Sequence, residues 1–193
     1  METKKGAVGI GTLIIFIAMV LVAAIAAAVL INVSGILQQK SMATGKEAIA
    51  QVSGNLIVAA IRGDTDTAKD NIDNLSVTIT AAAGAGRIDL SQLVVKTGNG
   101  NAQSTMTYNS TNATATTFTA TKIRDPSGLF TVGAPVIDGS SLIQINIAAK
   151  DAGVTFPVRS QYHVELVPEH GASTVIDGVT PASYSTSIQQ LYP

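Results

Sequence analysis

From Ala7 to Val33 the chain reads AVGIGTLIIFIAMVLVAAIAAAVLINV, with Lys4 and Lys5 just before it and no further charge until Lys40. This run, about 27 residues, exceeds the roughly 20 that span a bilayer as a helix, and it constrains the fold more than any other feature. Four readings compete: a cleaved secretory signal, a permanent membrane anchor, a buried core helix, or a helix that begins in a membrane and ends elsewhere. A core helix in a 193-residue chain would not be apolar on every face. Small residues at AAIAAAV (Ala23 to Val29) fit a signal-peptidase site, but cutting there leaves a new terminus, VLINVSGIL, that is still apolar. Lys4 and Lys5 bias the orientation so that the rest of the chain lies outside the cytoplasm.

The helical pattern continues past the run. In EAIAQVSGNLIVAAIR, Ile49, Val52, Leu56 and Ala60 recur at three- and four-residue steps, an amphipathic spacing. No proline precedes Pro126, Gly35, Gly45 and Gly54 weaken a helix without having to break it, and Gly63-Asp64 is a stop signal. The expected element is one helix from about Gly9 to Arg62, roughly 80 Å long at 1.5 Å per residue. Its first half is rich in Ala, Gly and Ser, which lets helices pack closely side by side.

Here the residues carry a resemblance. Lys4-Lys5-Gly6 directly before Ala7 and the apolar run resembles the short leader read by prepilin-type peptidases, which cut ahead of the apolar segment and leave it in the mature protein. Type IV pilins usually carry a Glu shortly after the cut, where this chain has Gly11. Ala7-Val8-Gly9-Ile10-Gly11-Thr12-Leu13 instead resembles archaellins, the filament subunits of the archaeal flagellum. The likeness recurs in IDLSQLVVK (Ile88 to Lys96), FTATKIRD (Phe118 to Asp125), Leu166-Val167-Pro168-Glu169-His170-Gly171-Ala172 and the closing Leu191-Tyr192-Pro193.

The resemblance implies an α+β fold: a long N-terminal pilin-like helix followed by an antiparallel immunoglobulin-like β-sandwich. It implies three segments: a leader (1–6) removed by the peptidase, a helix (7–62) forming a filament core, and an outer sandwich (63–193). Cleavage is expected at Lys4, Lys5, Gly6 and Ala7, and subunit packing at Leu13, Phe16, Val20, Ala24, Ala27 and Ile31. Implied partners are other copies or related subunits, the peptidase, and the flagellar motor and assembly proteins, with the chain held in the cytoplasmic membrane until it joins an extracellular filament. A static adhesive pilus, or a membrane-anchored monomeric binding domain, is the alternative.

After Gly63 the residues themselves point to strands. Leu75, Val77 and Ile79, then Ile143, Ile145 and Ile147, then Val164 and Leu166 alternate with polar neighbours, the period of a half-buried strand. Further strands are expected at Arg87 to Lys96, Thr105 to Asn109, Thr116 to Ile123 and Ser183 to Gln189, and TAKDNID reads as one short helix. Turns rich in Gly, Asn, Asp and Pro separate them (AAGAG, TGNGNAQ, RDPSG, IDGSS, KDAG), the spacing of a sandwich or barrel.

Chemistry is sparse. Twelve basic and 13 acidic residues give a net charge of −1 with no basic cluster, which argues against a nucleic-acid partner. The absence of cysteine removes disulfides and thiolate metal sites. His163 and His170 lack a matching ligand set, G-x-S-x-G is absent, and Gly9-Ile10-Gly11 is a lone GxG inside the apolar run. No catalytic residues and no cofactor are expected. Asp64, Asp66, Asp70 and Asp73 bunch together as a hard cation would like, but capping and turn roles suit them better. N-x-S/T occurs at Asn32, Asn74, Asn109 and Asn112; a glycan is expected on at least one of the last three, and not on Asn32 inside the helix.

Overall fold

The structure, a computed structural model, describes residues 2–192, with side chains from residue 9 onward. The leader positions Lys4, Lys5, Gly6 and Ala7, and the closing Pro193, fall outside those described side chains. The chain divides into two compact units between Ala48 and Ile49.

The first unit is built from helix α1 (Glu2–Ser53). Ala and Ile, followed by Val and Leu, dominate its described part, and proline is missing, so nothing interrupts the backbone ladder. The Thr12 hydroxyl donates back to the Gly9 carbonyl at 2.9 Å, so this polar group is satisfied within the helix. Every residue from Leu13 to Lys40 is exposed, so within this chain the segment is not a core helix. It is long and apolar enough to cross a membrane.

The helix ends sooner than its sequence periodicity indicates. Gly54 N–H reaches the Ala50 carbonyl at 2.8 Å, and the chain then extends as strand β1 (Leu56–Thr65). The expectation of helix to Arg62 is therefore wrong by one strand entry, and the reason is a β-bulge. Leu56 and Val58 face the core, the register shifts between Val58 and Ala60, and Ile61 and Gly63 then face the core. One inserted residue turns a period of two into a step of three, which imitates helical spacing. TAKDNID is likewise not a helix. It is the turn of the β1–β2 hairpin, with the Asp66 carboxylate accepting from Asp70 N–H at 3.0 Å, and strand β2 (Asn71–Ala81) starts inside it.

Eleven more strands complete the second unit: β3 (Ile88–Asp89), β4 (Val94–Gly98), β5 (Gln103–Tyr108), β6 (Thr117–Arg124), β7 (Phe130–Thr131), β8 (Ala134–Ile137), β9 (Leu142–Ile147), β10 (Phe156–Pro157), β11 (Gln161–Val167), β12 (Thr174–Val179) and β13 (Ile188–Tyr192). The expected single strand from Arg87 to Lys96 is split into β3 and β4. A 3₁₀ turn at Leu90–Gln92 separates them, capped by the Asp89 carboxylate on Ser91 N–H at 2.8 Å; it tucks Leu90 and Leu93 into the core.

The ladder runs β12-β11-β4-β5-β6-β9-β2-β1-β13, with β10 added to β2 and a small β3-β8-β7 sheet beside it. All pairings are antiparallel except the short parallel β5–β6 step at Thr107↔Thr117 and Tyr108↔Phe118. That step joins the two layers of a sandwich. Leu75, Val77 and Ile79, Ile143, Ile145 and Ile147, and Val164 and Leu166 all point into the core, as their alternation requires. The Thr174 hydroxyl donates to the Leu56 carbonyl at 2.7 Å, so the far end of the ladder returns beside β1. This is the mostly antiparallel β-sandwich after a long helix that the resemblance implies.

Candidate functional site

The largest chemical anomaly is the surface of α1. Leu13, Phe16, Val20 and Ile31 are 53–74 % exposed, and Ala24 and Ala27 beside them are open as well. A second face carries a shallow groove lined by Ile15, Ala18, Met19, Val22, Ala23 and Ala26. Those six recur at three- and four-residue steps on another side of the helix from Leu13, Phe16, Val20, Ala24, Ala27 and Ile31. Apolar contact surface is therefore offered on more than one side. Each large side chain left in water forgoes about 1.5–3 kcal/mol that full burial would return. Such a surface does one thing: it packs against other apolar surface, lipid or protein.

A second feature lies where the chain enters the sandwich. Gly171 has φ +105, and a Cβ there would sit 2.0 Å from the Gly54 carbonyl oxygen. A Cβ on Gly54 would meet the His170 carbonyl oxygen at 2.8 Å. The two backbones thus touch with no room for a side chain. Asn55 fastens the same point: its side-chain oxygen accepts from Ala172 N–H at 2.9 Å, and its carbonyl accepts from Ala82 N–H at 2.9 Å. Leu166-Val167-Pro168-Glu169-His170-Gly171-Ala172 therefore acts as a clasp on the residues after α1. In the sequence, Gly54 reads only as a weakened helix position; the Gly54-Asn55 dipeptide is the turn signal that marks it.

Among the described residues, the titratable groups pair locally and gather no reactive constellation. His163 on β11 faces Asp177 on β12 at 2.5 Å, Lys96 on β4 meets Glu165 on β11 at 3.0 Å, and Lys150 meets Asp73 at 2.8 Å. Asp73 holds the Lys150 ammonium pKa above its usual value. Asp64, Asp66, Asp70 and Asp73 do not converge, and no metal-binding group of three occurs among the described residues. Asp138 accepts from the hydroxyls of Ser127, Ser140 and Ser141, which hold its carboxyl well below the usual range. Burial raises Tyr108, Tyr162 and Tyr184. Their hydroxyls donate to the Val132, Leu191 and Phe156 carbonyls at 2.7, 3.0 and 2.9 Å, so they fasten loops.

Of the sequons, Asn74 is exposed but sits within β2, opposite Asp64 of β1. Asn109 and Asn112 lie in the connection between β5 and β6, half-buried and exposed respectively. Asn32 is in α1.

Comparison with known proteins matches residues 6–178 to the family model of archaeal-type flagellin. The chain is 38 % identical over 203 residues to flagellin B2 of Methanocaldococcus jannaschii, covering 95 % of this chain and 93 % of that one. It is 36 % identical to flagellin B1 of Methanococcus voltae, covering 99 % and 97 %. Among solved structures, the archaeal flagellum of Methanospirillum hungatei shares the fold with a TM-score of 0.71 at 19 % identity, over 96 % of this chain and 99 % of that one. A crystal structure of an archaeal flagellin from M. jannaschii aligns with a TM-score of 0.65 at 22 % identity, over 72 % and 97 %.

Proposed function

The chain belongs to the archaeal-type flagellin family, and from that membership we infer that it is a structural subunit that polymerises with itself or related subunits into the archaeal flagellum filament. The observation that carries the reading is the continuous exposed apolar surface of α1. Water cannot solvate it without cost, and among the described residues nothing covers it from Leu13 to Lys40. Copies of the same helix supply the cover. Ala and Gly along α1 permit close backbone approach, and the many small dispersion contacts add up without covalent links.

Assembly follows from the same chemistry. A prepilin-type peptidase cuts at Gly6–Ala7, and α1 waits in the cytoplasmic membrane, where lipid covers it. It then exchanges lipid for neighbouring helices as the subunit joins an extracellular fibre, while the sandwich forms the outer surface. Leu13, Phe16, Val20, Ala24, Ala27 and Ile31 lie at subunit contacts, as do the groove residues around Ala23. A membrane motor turns the filament and so drives swimming. The protein works as a structural element and not as an enzyme. At least one of Asn74, Asn109 and Asn112 carries a glycan on the exposed domain. Family membership favours the flagellar filament over an adhesive pilus or an anchored monomer. Shearing cells and pelleting the supernatant tests the filament directly: the protein is expected in thin fibres by electron microscopy, and recovery only with membranes refutes it.

A further inference from the structure

We propose that Asn109 is a glycan acceptor and that its first sugars seat in the cleft beside it, between β6 and the β7–β8 hairpin. This rests on the reading that the exported chain is glycosylated, and it selects among three sequons that sequence alone leaves equivalent.

The discriminating group is the hydroxyl two residues after each asparagine. Ser76, serving Asn74, donates its hydroxyl to Asn146 at 3.4 Å, inside a ladder that pairs β2 on both sides. Thr114, serving Asn112, has its hydroxyl tied to the Thr117 hydroxyl at 2.7 Å. Thr111, serving Asn109, has no side-chain hydrogen bond among the described residues, while its backbone N–H donates to the Asn109 side-chain oxygen at 2.8 Å. That Asx turn holds the amide oxygen toward the backbone and leaves Nδ2 pointing away from it, with the Thr111 hydroxyl free. In the transfer, Nδ2 attacks the anomeric carbon of a lipid phosphate-linked oligosaccharide. The C–N bond forms as the C–O bond to phosphate breaks, the phosphate leaves with the bonding pair, and the amide gives one proton to the transferase's base.

The seat follows from position. Asn109 is half-buried, so a sugar on it must touch protein, whereas one on exposed Asn112 need not. Next to it opens a cleft of about 420 Å³ whose walls include Ser110, Thr111, Thr119, Thr121, Lys122 and Val132. Hydroxyls and an ammonium can bond sugar hydroxyls, and Val132, 53 % exposed, offers apolar surface to a pyranose C–H face. Small-ligand clefts have this volume. The far wall is fixed, because the Tyr108 hydroxyl donates to the Val132 carbonyl at 2.7 Å and the Tyr108 ring stacks edge-on against Phe118 at 5.8 Å.

The test uses filaments from the native host. Glycopeptide fragmentation is expected to place saccharide mass on Asn109, and both Asn109→Gln and Thr111→Ala are expected to lose that mass while still forming filaments. Hydrogen exchange at residues 110–114 and 130–132 is expected to run severalfold slower in wild type than in either variant. A bare wild-type chain overturns the glycosylation reading and this proposal with it. Saccharide found only on Asn74 or Asn112 leaves that reading standing and overturns the choice of Asn109. Saccharide on Asn109 with equal exchange in all three proteins overturns the seat.

Discussion

Replacing Gly171 by alanine adds one methyl group at the tightest point of the sandwich. Its Cβ would stand 2.0 Å from the Gly54 carbonyl oxygen and 2.5 Å from the carbonyl carbon, both backbone atoms that cannot swing aside. The φ of +105 adds strain of about 1–3 kcal/mol for a non-glycine residue. Relieving the clash means parting the two segments, which breaks the Asn55–Ala172 hydrogen bond, worth about 1 kcal/mol net. Together with lost packing, a destabilisation of about 3–5 kcal/mol is expected, a large share of the roughly 5–15 kcal/mol that holds a domain. Gly84→Ala is the matched control: its φ is +83, but nothing lies within 4 Å of the added atom. Urea unfolding of the full chain in detergent, followed by the β-sheet circular dichroism signal, measures both. Gly171→Ala is expected to fall at least 2 kcal/mol below Gly84→Ala. Equal losses would mean that the backbones at Gly54 and Gly171 are not in contact, and the clasp would be refuted.

Other expectations follow from the same structure. Mature protein is expected to begin at Ala7, with Gly6→Val blocking the cut and trapping the chain in membranes; N-terminal sequencing that finds a start near Val29 would identify a secretory signal instead. Ala26→Leu fills the groove on α1, so it is expected to reach the membrane normally yet yield few filaments through overpacking, and normal filament number by electron microscopy would place Ala26 away from subunit contacts. The Asp138 carboxyl pKa is depressed by three serine hydroxyls, so its contribution is complete above the ordinary carboxylate value of about 4 and fades as pH falls below that toward the folded value. Stability from pH 7 to 5 is expected to be unaffected by this group, and Asp138→Asn is expected to make the decline below pH 4 shallower in acid unfolding; an unchanged acid limb would assign that decline to other carboxylates.

How far the sequence revealed these features depended on the physics of each. Most of α1 was legible because some 27 apolar residues in a row admit few folds, and β2, β9 and β11 because Leu75 to Ile79, Ile143 to Ile147 and Val164 to Leu166 keep strict alternation. Strand β1 was misread because the bulge between Val58 and Ala60 breaks its parity, so its core-facing Leu56, Val58 and Ile61 do not alternate strictly. Strands β7 and β10, two residues each, are too short to show a period. In β12, Val175 and Val179 face solvent, so an apolar pattern there does not mark the core. The clasp was visible only as a family likeness at Leu166 to Ala172. Its cause is a contact between Gly54 and Gly171, and periodicity says nothing about residues so far apart in the chain.

In the fibre, the apolar surface of α1 is expected to be covered by neighbouring copies. The chain has no cysteine, so a single introduced thiol reports on its own surroundings without background. Ala24→Cys and Ala27→Cys, with Asp151→Cys on the exposed surface of the sandwich as reference, would be treated with a water-soluble maleimide in sheared, lipid-free filaments. Little labelling at positions 24 and 27 beside full labelling at 151 is the predicted result, with all three labelled after the fibres are dissociated. Equal labelling at all three positions in intact fibres would mean that neighbouring copies do not cover α1.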